Sequence, residues 1–173
     1  QQMIRTPEET RVEMTQLVLP SHTNNHGAAF GGQIAAWVDI CAAVSAQRFC
    51  RMPVVTASMD ALHFLHPVHK GMVVILKSTV NSAWNTSMEI GVRIESEHPL
   101  TGDRLHCCSA YLTFVAIDEG GNKQQLPKLS CDQNEKWLRR RSEAQERRDL
   151  RLKVREVRRT GGVLKVQVAK SED

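Results

Sequence analysis

Between Gly31-Gly32 and about Cys50 the chain holds one long apolar helical stretch, closed by the region of Pro53. A helix this apolar has to be buried, and the rest of the chain must supply its cover. Four extended runs come after the helix, Val54 to Leu65, Met72 to Val80, Met88 to Glu97 and Leu105 to Ile117, all rich in β-branched and apolar residues. Their separators, Pro67 to Gly71, Asn81 to Asn85 and Pro99 to Asp103, have turn chemistry. One more strand, Val12 to Leu19, precedes the helix and ends at Pro20. One strand, one buried helix and four antiparallel strands predict an α+β fold in which an antiparallel sheet curls around a long central helix.

Patterning within the runs supports this. Ile90, Val92 and Ile94 alternate with Gly91, Arg93 and Glu95, as in a strand with one covered face, whereas Val73 to Leu76 is apolar throughout. Residues 1–11 read as a flexible N-terminus and 12–129 as the domain. A basic helix over 130–159 packs on it, and 160–173 form a tail that is either a short strand (Val163 to Val168) or disordered. The basic helix has only a thin apolar stripe of Trp137, Leu138, Ala144 and Leu152, which places it on a surface.

Charge is uneven. Lys136 to Arg159 holds eleven Lys and Arg against four acids, a local +7, while everything before it sums to −3. Arg139-Arg140-Arg141 and Arg147-Arg148 could bind nucleic acid. With 5% aromatic residues and no recognition-helix motif, that reading is set aside. Five cysteines without CxxC or CxxH spacing argue against a disulfide framework or a zinc site and for a reducing, intracellular compartment. His63, His66 and His69 do not share a face, because Pro67 breaks any helix. No run approaches the roughly 20 apolar residues of a membrane span, so a soluble protein is expected. Gln1 in place of Met is expected of a trimmed chain.

The helix carries the chemistry. Gly32, Ala35, Ala36, Ala42, Ala43 and Ala46 surround Asp39 at helical spacings, while Ile34, Val38, Cys41, Ser45 and Phe49 form a separate core seam. Asp39 therefore lies on a face of minimal side chains, about 10 Å along the axis from Gly32. The first amides of a helix have no intrahelical partner and sit at its positive end. A carbonyl at the Gly-Gly end would find an oxyanion site with a carboxylate deeper in the same slot. The pattern equally allows plain helix packing, with Asp39 bonded to a neighbour.

The string Leu19-Pro20-Ser21-His22-Thr23-Asn24-Asn25-His26-Gly27-Ala28-Ala29-Phe30-Gly31-Gly32-Gln33-Ile34, continued by Trp37-Val38-Asp39, resembles the hotdog acyl-coenzyme A thioesterases. The likeness extends through Val55-Thr56-Ala57-Ser58-Met59-Asp60, Thr86-Ser87-Met88-Glu89 and Thr113-Phe114-Val115-Ala116, covering roughly Val12 to Arg155. It implies hydrolysis of acyl-CoA to fatty acid and coenzyme A, a site shared between two paired subunits, and assembly into trimers of dimers. Asn24 and Asp39 match the catalytic pair, one from each subunit. Gly32, with Gly31, matches the oxyanion site. Asp39 is then general base or nucleophile. For coenzyme A the likeness points to Ala57, Ser58 and Met59, to Thr86, Ser87 and Met88, and to Arg148. Asp149 departs from a lysine seen in some relatives.

The resemblance implies no metal and no cofactor beyond the coenzyme A of the substrate. Location is read as cytoplasmic in preference to mitochondrial. An acyl-CoA-binding sensor that does not turn its ligand over is the alternative.

Overall fold

The computed structural model describes residues 3–161. Helix α1 spans Gly31–Cys50, the bounds expected from the Gly-Gly opening and Pro53. Five strands form one antiparallel sheet in the order β2-β4-β5-β6-β3: β2 (Val12–Leu17), β3 (Val54–Met59), β4 (Val73–Ala83), β5 (Ser87–Glu97) and β6 (Arg104–Ala116). Ile34, Val38, Cys41, Ser45 and Phe49, the expected seam of α1, are all buried, joined by Trp37, Ala42, Ala46 and Cys50. They meet the inner residues of the strands, among them Leu76, Val80, Met88, Ile90, Ile94, Leu112 and Phe114.

Three differences from the sequence reading bear on the site. First, β3 stops at Met59, not Leu65. Beyond it regular pairing ends, though the amides of Asp60 and Leu65 still donate to the Tyr111 and Cys107 carbonyls of β6. Second, residues 3–11 are tied down: β1 (Ile4–Arg5) pairs in parallel with β7 (Lys128–Leu129), and Thr10 is buried with its hydroxyl accepting from the Val80 amide. Third, β3 and β4 each carry a bulge. The register shifts between Thr56 and Ser58 and between Val80 and Ser82. A bulge inserts one residue and flips the alternation beyond it.

Helix α2 runs Glu135–Thr160, capped by Asn134, whose Oδ1 accepts from the amides of Lys136 and Trp137. It lies across the outer face of the sheet, but the expected stripe is only half right. Trp137 and Ala144 are buried, while Leu138 and Leu152 face outward. Arginines make the rest of the contact. Arg147 forms a two-pronged pair with fully buried Glu89 of β5, at 2.7 and 3.2 Å. Arg151 bridges Asp60 at 3.0 Å and Glu89 at 3.4 Å. Burial alone would push the Arg147 pKa down, but the Glu89 carboxylate more than reverses this and leaves it raised. Asn81, the bulged residue of β4, donates its Nδ2 to Glu89 Oε1. Gly91 makes room for it: a Cβ there would stand 2.6 Å from that nitrogen. The segment Val163 to Val168 lies outside the described residues.

All five cysteines are free and buried. Burial, with Cys107 next to it, pushes the Cys108 thiol from 9.0 up to about 11, and burial raises Cys41 and Cys50 as well. In the folded state these groups hold their protons beyond the pH at which the unfolded chain releases them. The Cys108 contribution is intact below pH 9 and is lost as pH rises from 9 toward 11. Ellman's reagent at pH 8 is expected to titrate few thiols in the native protein and all five in guanidinium. Thermal midpoints are expected to fall steadily above pH 9. No helix among the described residues is long and apolar enough to cross a membrane.

Candidate functional site

Asp39 emerges from α1 between the core seam and the solvent, with Ala35 and Ala43 part-buried on its small face and Ala36 exposed; Ala42 and Ala46 turn into the core. Its Oδ1 accepts a 2.7 Å hydrogen bond from the Thr56 hydroxyl of β3. The bulge at Ala57 explains how an edge strand supplies this group. Thr56 pairs with Phe114 and Met59 with Leu112, both inner residues, so Thr56 and Met59 face α1 together although three positions apart. Ser58 pairs with Thr113 and faces outward. The carboxylate is thus held by one oxygen, with its second oxygen outside that bond.

Asn24 is fixed by its own loop. Its Oδ1 accepts from the amides of His26 at 2.9 Å and Ala28 at 3.2 Å, an Asx-type turn that consumes the acceptor and leaves the Nδ2 group as a donor. The loop is pinned to the start of α1 by the Phe30 amide donating to the His22 carbonyl. His22 is structural, its Nδ1 accepting from the Leu19 amide and its ring edge-on to Trp37 at 5.0 Å. Within one chain Asn24 and Asp39 make no hydrogen bond to each other.

Gly31 and Gly32 open the helix. Both are exposed, and their amides are the unpaired first donors of α1. Their Cβ directions, however, are filled by aromatic rings. A Cβ on Gly31 would meet Phe64 at 3.4 Å, and one on Gly32 would meet Phe30 at 3.3 Å. Both rings are 43% exposed, and Ile40 further along α1 is 54% exposed. An apolar, open surface therefore surrounds the Gly-Gly end and the Asp39 face.

The residues expected to hold coenzyme A fall into two groups. Ala57, Ser58 and Met59 lie on the free edge of the sheet beside Thr56. Thr86 and Ser87 lie at the start of β5, where Arg148 Nη1 donates to Ser87 Oγ at 3.2 Å. These two groups are separated by β6, about 10 Å in all. Ser87 and Arg148 stand on the outer face, opposite α1. One ligand reaching both Arg148 and Asp39 must round a sheet edge or use groups from two subunits. The Met88 side chain is fully buried in the core and cannot touch a ligand from there. Arg147 is committed to Glu89.

A cavity of about 160 Å³ lies elsewhere, under α2, lined by Lys77, Arg93, Arg139, Arg140 and Glu143 among others. Among the described residues no group of three His, Cys, Asp or Glu could hold a metal ion.

Residues 26–102 match the family model described as the thioesterase superfamily. The chain is also 38% identical over 140 residues to the uncharacterised acyl-CoA thioester hydrolase YkhA of Bacillus subtilis, covering 78% of this chain and 81% of that one. The chain belongs to the thioesterase superfamily. Its relatives include longer proteins: it is 41% identical over 146 residues to mouse acyl-coenzyme A thioesterase 11, a match spanning 83% of this chain and 24% of that protein.

Among solved structures, the acyl-CoA hydrolase of Staphylococcus aureus, in complex with butyryl coenzyme A, coenzyme A and coenzyme A disulfide, superposes with a TM-score of 0.83. It is 28% identical, and the match covers 92% of this chain and 96% of that one. An apo-hexameric acyl-CoA thioesterase superposes at 0.82 with 36% identity, over 87% and 96%. The sheet wrapped around α1 is the hotdog fold of this superfamily.

The S. aureus hydrolase has also been solved as three alanine variants, at an asparagine, an aspartate and a threonine. The first two lie 15 positions apart and the last two 17, the separations of Asn24, Asp39 and Thr56 in this thioesterase-superfamily chain. Thr56 is the residue that the sequence reading passed over. The alternation of a regular strand gives no sign of the bulge that turns it toward Asp39. The signal available was its place inside the matched string Val55-Thr56-Ala57-Ser58. Thr56→Val, which keeps the shape and removes the donor, is expected to lower kcat about tenfold with little change in Tm, read by steady-state kinetics beside a melting curve.

Proposed function

We propose that this protein is an acyl-CoA thioester hydrolase whose active site is completed between two subunits. The observation that carries the reading is Asp39, part-exposed on the small-residue face of α1 and fixed by Thr56, on the same helix whose start leaves the amides of Gly31 and Gly32 unpaired.

Each group takes one role in this reading. The Gly32 amide, with Gly31, receives the carbonyl oxygen of the thioester where negative charge develops. Asn24, its Oδ1 already occupied, can only donate, so its Nδ2 polarises the carbonyl or holds the oxygen of the attacking water. Asp39, as base, takes the proton of that water as the oxygen–carbon bond forms. Collapse of the tetrahedral intermediate breaks the carbon–sulfur bond, and coenzyme A leaves as thiolate. Asp39 as nucleophile would form an anhydride with the acyl group that water then opens, with the same products.

Since Asn24 and Asp39 do not meet within a chain, and since Phe30, Phe64 and Ile40 leave an apolar surface around them, a second copy of this chain is the natural cover. Pairing would bring Asn24 of each subunit to Asp39 of the other, and three such dimers would give a hexamer. The hexameric thioesterase among its structural neighbours supports that assembly. The five unpaired thiols suit a reducing compartment.

Mixing tests the shared site. Asn24→Ala and Asp39→Asn, each inactive alone, are unfolded together and refolded. A mixed dimer contains one intact site, so about a quarter of wild-type activity is expected to return. No return with mixed oligomers present, shown by mass spectrometry, contradicts a site shared between subunits.

A further inference from the structure

His22 clasps Leu19 from two sides at the entrance of the Asn24 loop. Its backbone amide donates to the Leu19 carbonyl at 2.9 Å, and its ring Nδ1 accepts from the Leu19 amide at 3.1 Å. Its carbonyl accepts from the Phe30 amide at 3.1 Å, directly before Gly31 and Gly32. One residue thus ties Asn24, two positions on, to the start of α1. The ring is part-buried and stands at 87° to the Trp37 indole, with centroids 5.0 Å apart.

A backbone amide can only donate, so the Leu19 contact requires an unprotonated Nδ1, and the proton of the neutral ring lies on Nε2. Protonation of Nδ1 sets one N–H against another. The new donor finds no acceptor in place, since the indole offers no lone pair. Among the described residues no carboxylate bonds or pairs with the ring. The ionisable groups of the surrounding elements are His26 on the same loop, His69 and Lys70, whose backbones bridge to Ala28 and Gly27, and His63 and His66 in the segment that lays Phe64 on Gly31. On α1 there is Asp39, two positions beyond Trp37, and its recorded bond goes to Thr56. The far arm of the loop is held separately, by the Ala29 amide on the Val68 carbonyl and the Lys70 amide on the Gly27 carbonyl. Loss of the ring bond therefore loosens the near arm, which carries Asn24, and leaves the far arm docked.

We propose that His22 is a pH switch built into this loop. Neutral, it latches the near arm to Leu19 and holds Asn24 in its working position; protonated, it opens the latch and lets Asn24 drift from that position. As a control of turnover the switch rests on the hydrolase reading; as a latch it does not.

Two substitutions separate the parts played by the ring, each made in the full chain in its native assembly. His22→Asn puts an amide oxygen in the place of Nδ1, an acceptor that does not titrate. His22→Phe keeps a ring against Trp37 and removes the acceptor. Steady-state kinetics would follow kcat and KM from about pH 8 down to about pH 5.5, within the range where histidines change charge. Protonation of Asp39 costs activity in every variant, so the readout is the difference between variants. Across that range wild type is expected to lose about three- to tenfold more of its kcat than His22→Asn loses, with KM little changed. His22→Phe is expected to start about three- to tenfold below wild type at pH 8 and to show no extra acid loss. Hydrogen–deuterium exchange of residues 19–26, timed to offset the intrinsic effect of pH, reads the latch without turnover. It is expected to quicken about three- to tenfold in acid in wild type and to stay level in His22→Asn.

Acid losses of kcat that coincide in wild type and His22→Asn overturn the switch, and so does wild-type exchange over residues 19–26 that ignores pH. His22→Asn carries the test alone if His22→Phe folds poorly. Exchange that quickens in acid in wild type only, in a protein that never cleaves a thioester, upholds the latch and removes the hydrolase reading. Steady hydrolysis with the same pH profile in all three proteins removes the switch alone.

Discussion

Asp39→Asn is expected to lower kcat for acyl-CoA hydrolysis by about 10³, within the range of a lost general base, with KM and Tm little changed. The substitution keeps an oxygen to accept from the Thr56 hydroxyl, so the strand stays docked on α1. In the proposed mechanism it removes the group that takes the proton of the water or attacks the carbonyl itself. Because the surrounding face is Ala35, Ala36 and Ala43, no neighbouring side chain on that face can substitute for it. Stopped assays over hours, with the variant at high concentration, would measure the residue of activity. Retention of more than about a tenth of wild-type kcat would place the base elsewhere.

Glu89 carries the second large effect, on stability. It is fully buried beneath α2, receives both prongs of Arg147, and takes a further contact from Arg151. Glu89→Ala leaves the two arginines against a cavity with only Asp60 to share. Removal of one partner from a buried pair costs about 3–5 kcal/mol, which for a chain of this size lowers Tm by on the order of 10 °C. A paired substitution, Glu89→Leu with Arg147→Met, removes both charges and is expected to recover most of the loss. Differential scanning calorimetry of the single and paired variants decides this. A single variant as stable as wild type would mean that the ion pairs do not hold α2 on the sheet.

These two residues also mark what the sequence does and does not disclose. The helix bounds were legible because both signals are local: Gly31-Gly32 at one end and Pro53 past the other. Helical spacing marks Asp39 as an acid among alanines, two of which, Ala42 and Ala46, turn into the core, and spacing by itself leaves plain packing equally open. β6 was placed to within a residue at each end, since a long run of β-formers between turns leaves little choice. The far end of β3 was misplaced because apolar residues continue to Leu65, whose amide still reaches the Cys107 carbonyl, while regular pairing ends at Met59. Thr56 was missed for a related reason. Its direction depends on the bulge at Ala57, a feature of how β3 pairs with β6.

Glu89 and Arg147 stand 58 positions apart, and neither period nor composition links them. The stripe read on α2 assumed that leucines mark the packed face, whereas this helix docks through arginines laid over a buried acid and Tyr111. The pairing of Ile4–Arg5 with Lys128–Leu129 joins two short segments with no pattern of their own, which is why the N-terminus looked frayed. The proposed pairing of Asn24 with Asp39 rests on family likeness, because within one chain the two make no hydrogen bond to each other.

The most direct measurement is coenzyme A release by the wild-type protein, followed with a thiol reagent across acyl chains from acetyl to palmitoyl. The buried cysteines keep the protein's own thiols out of that signal. Steady release with at least one chain length, silent in Asp39→Asn, is the expected result, and the chain-length profile would then size the acyl pocket. Binding of acyl-CoA with every chain recovered intact would contradict it and leave a sensor that holds its ligand without turnover.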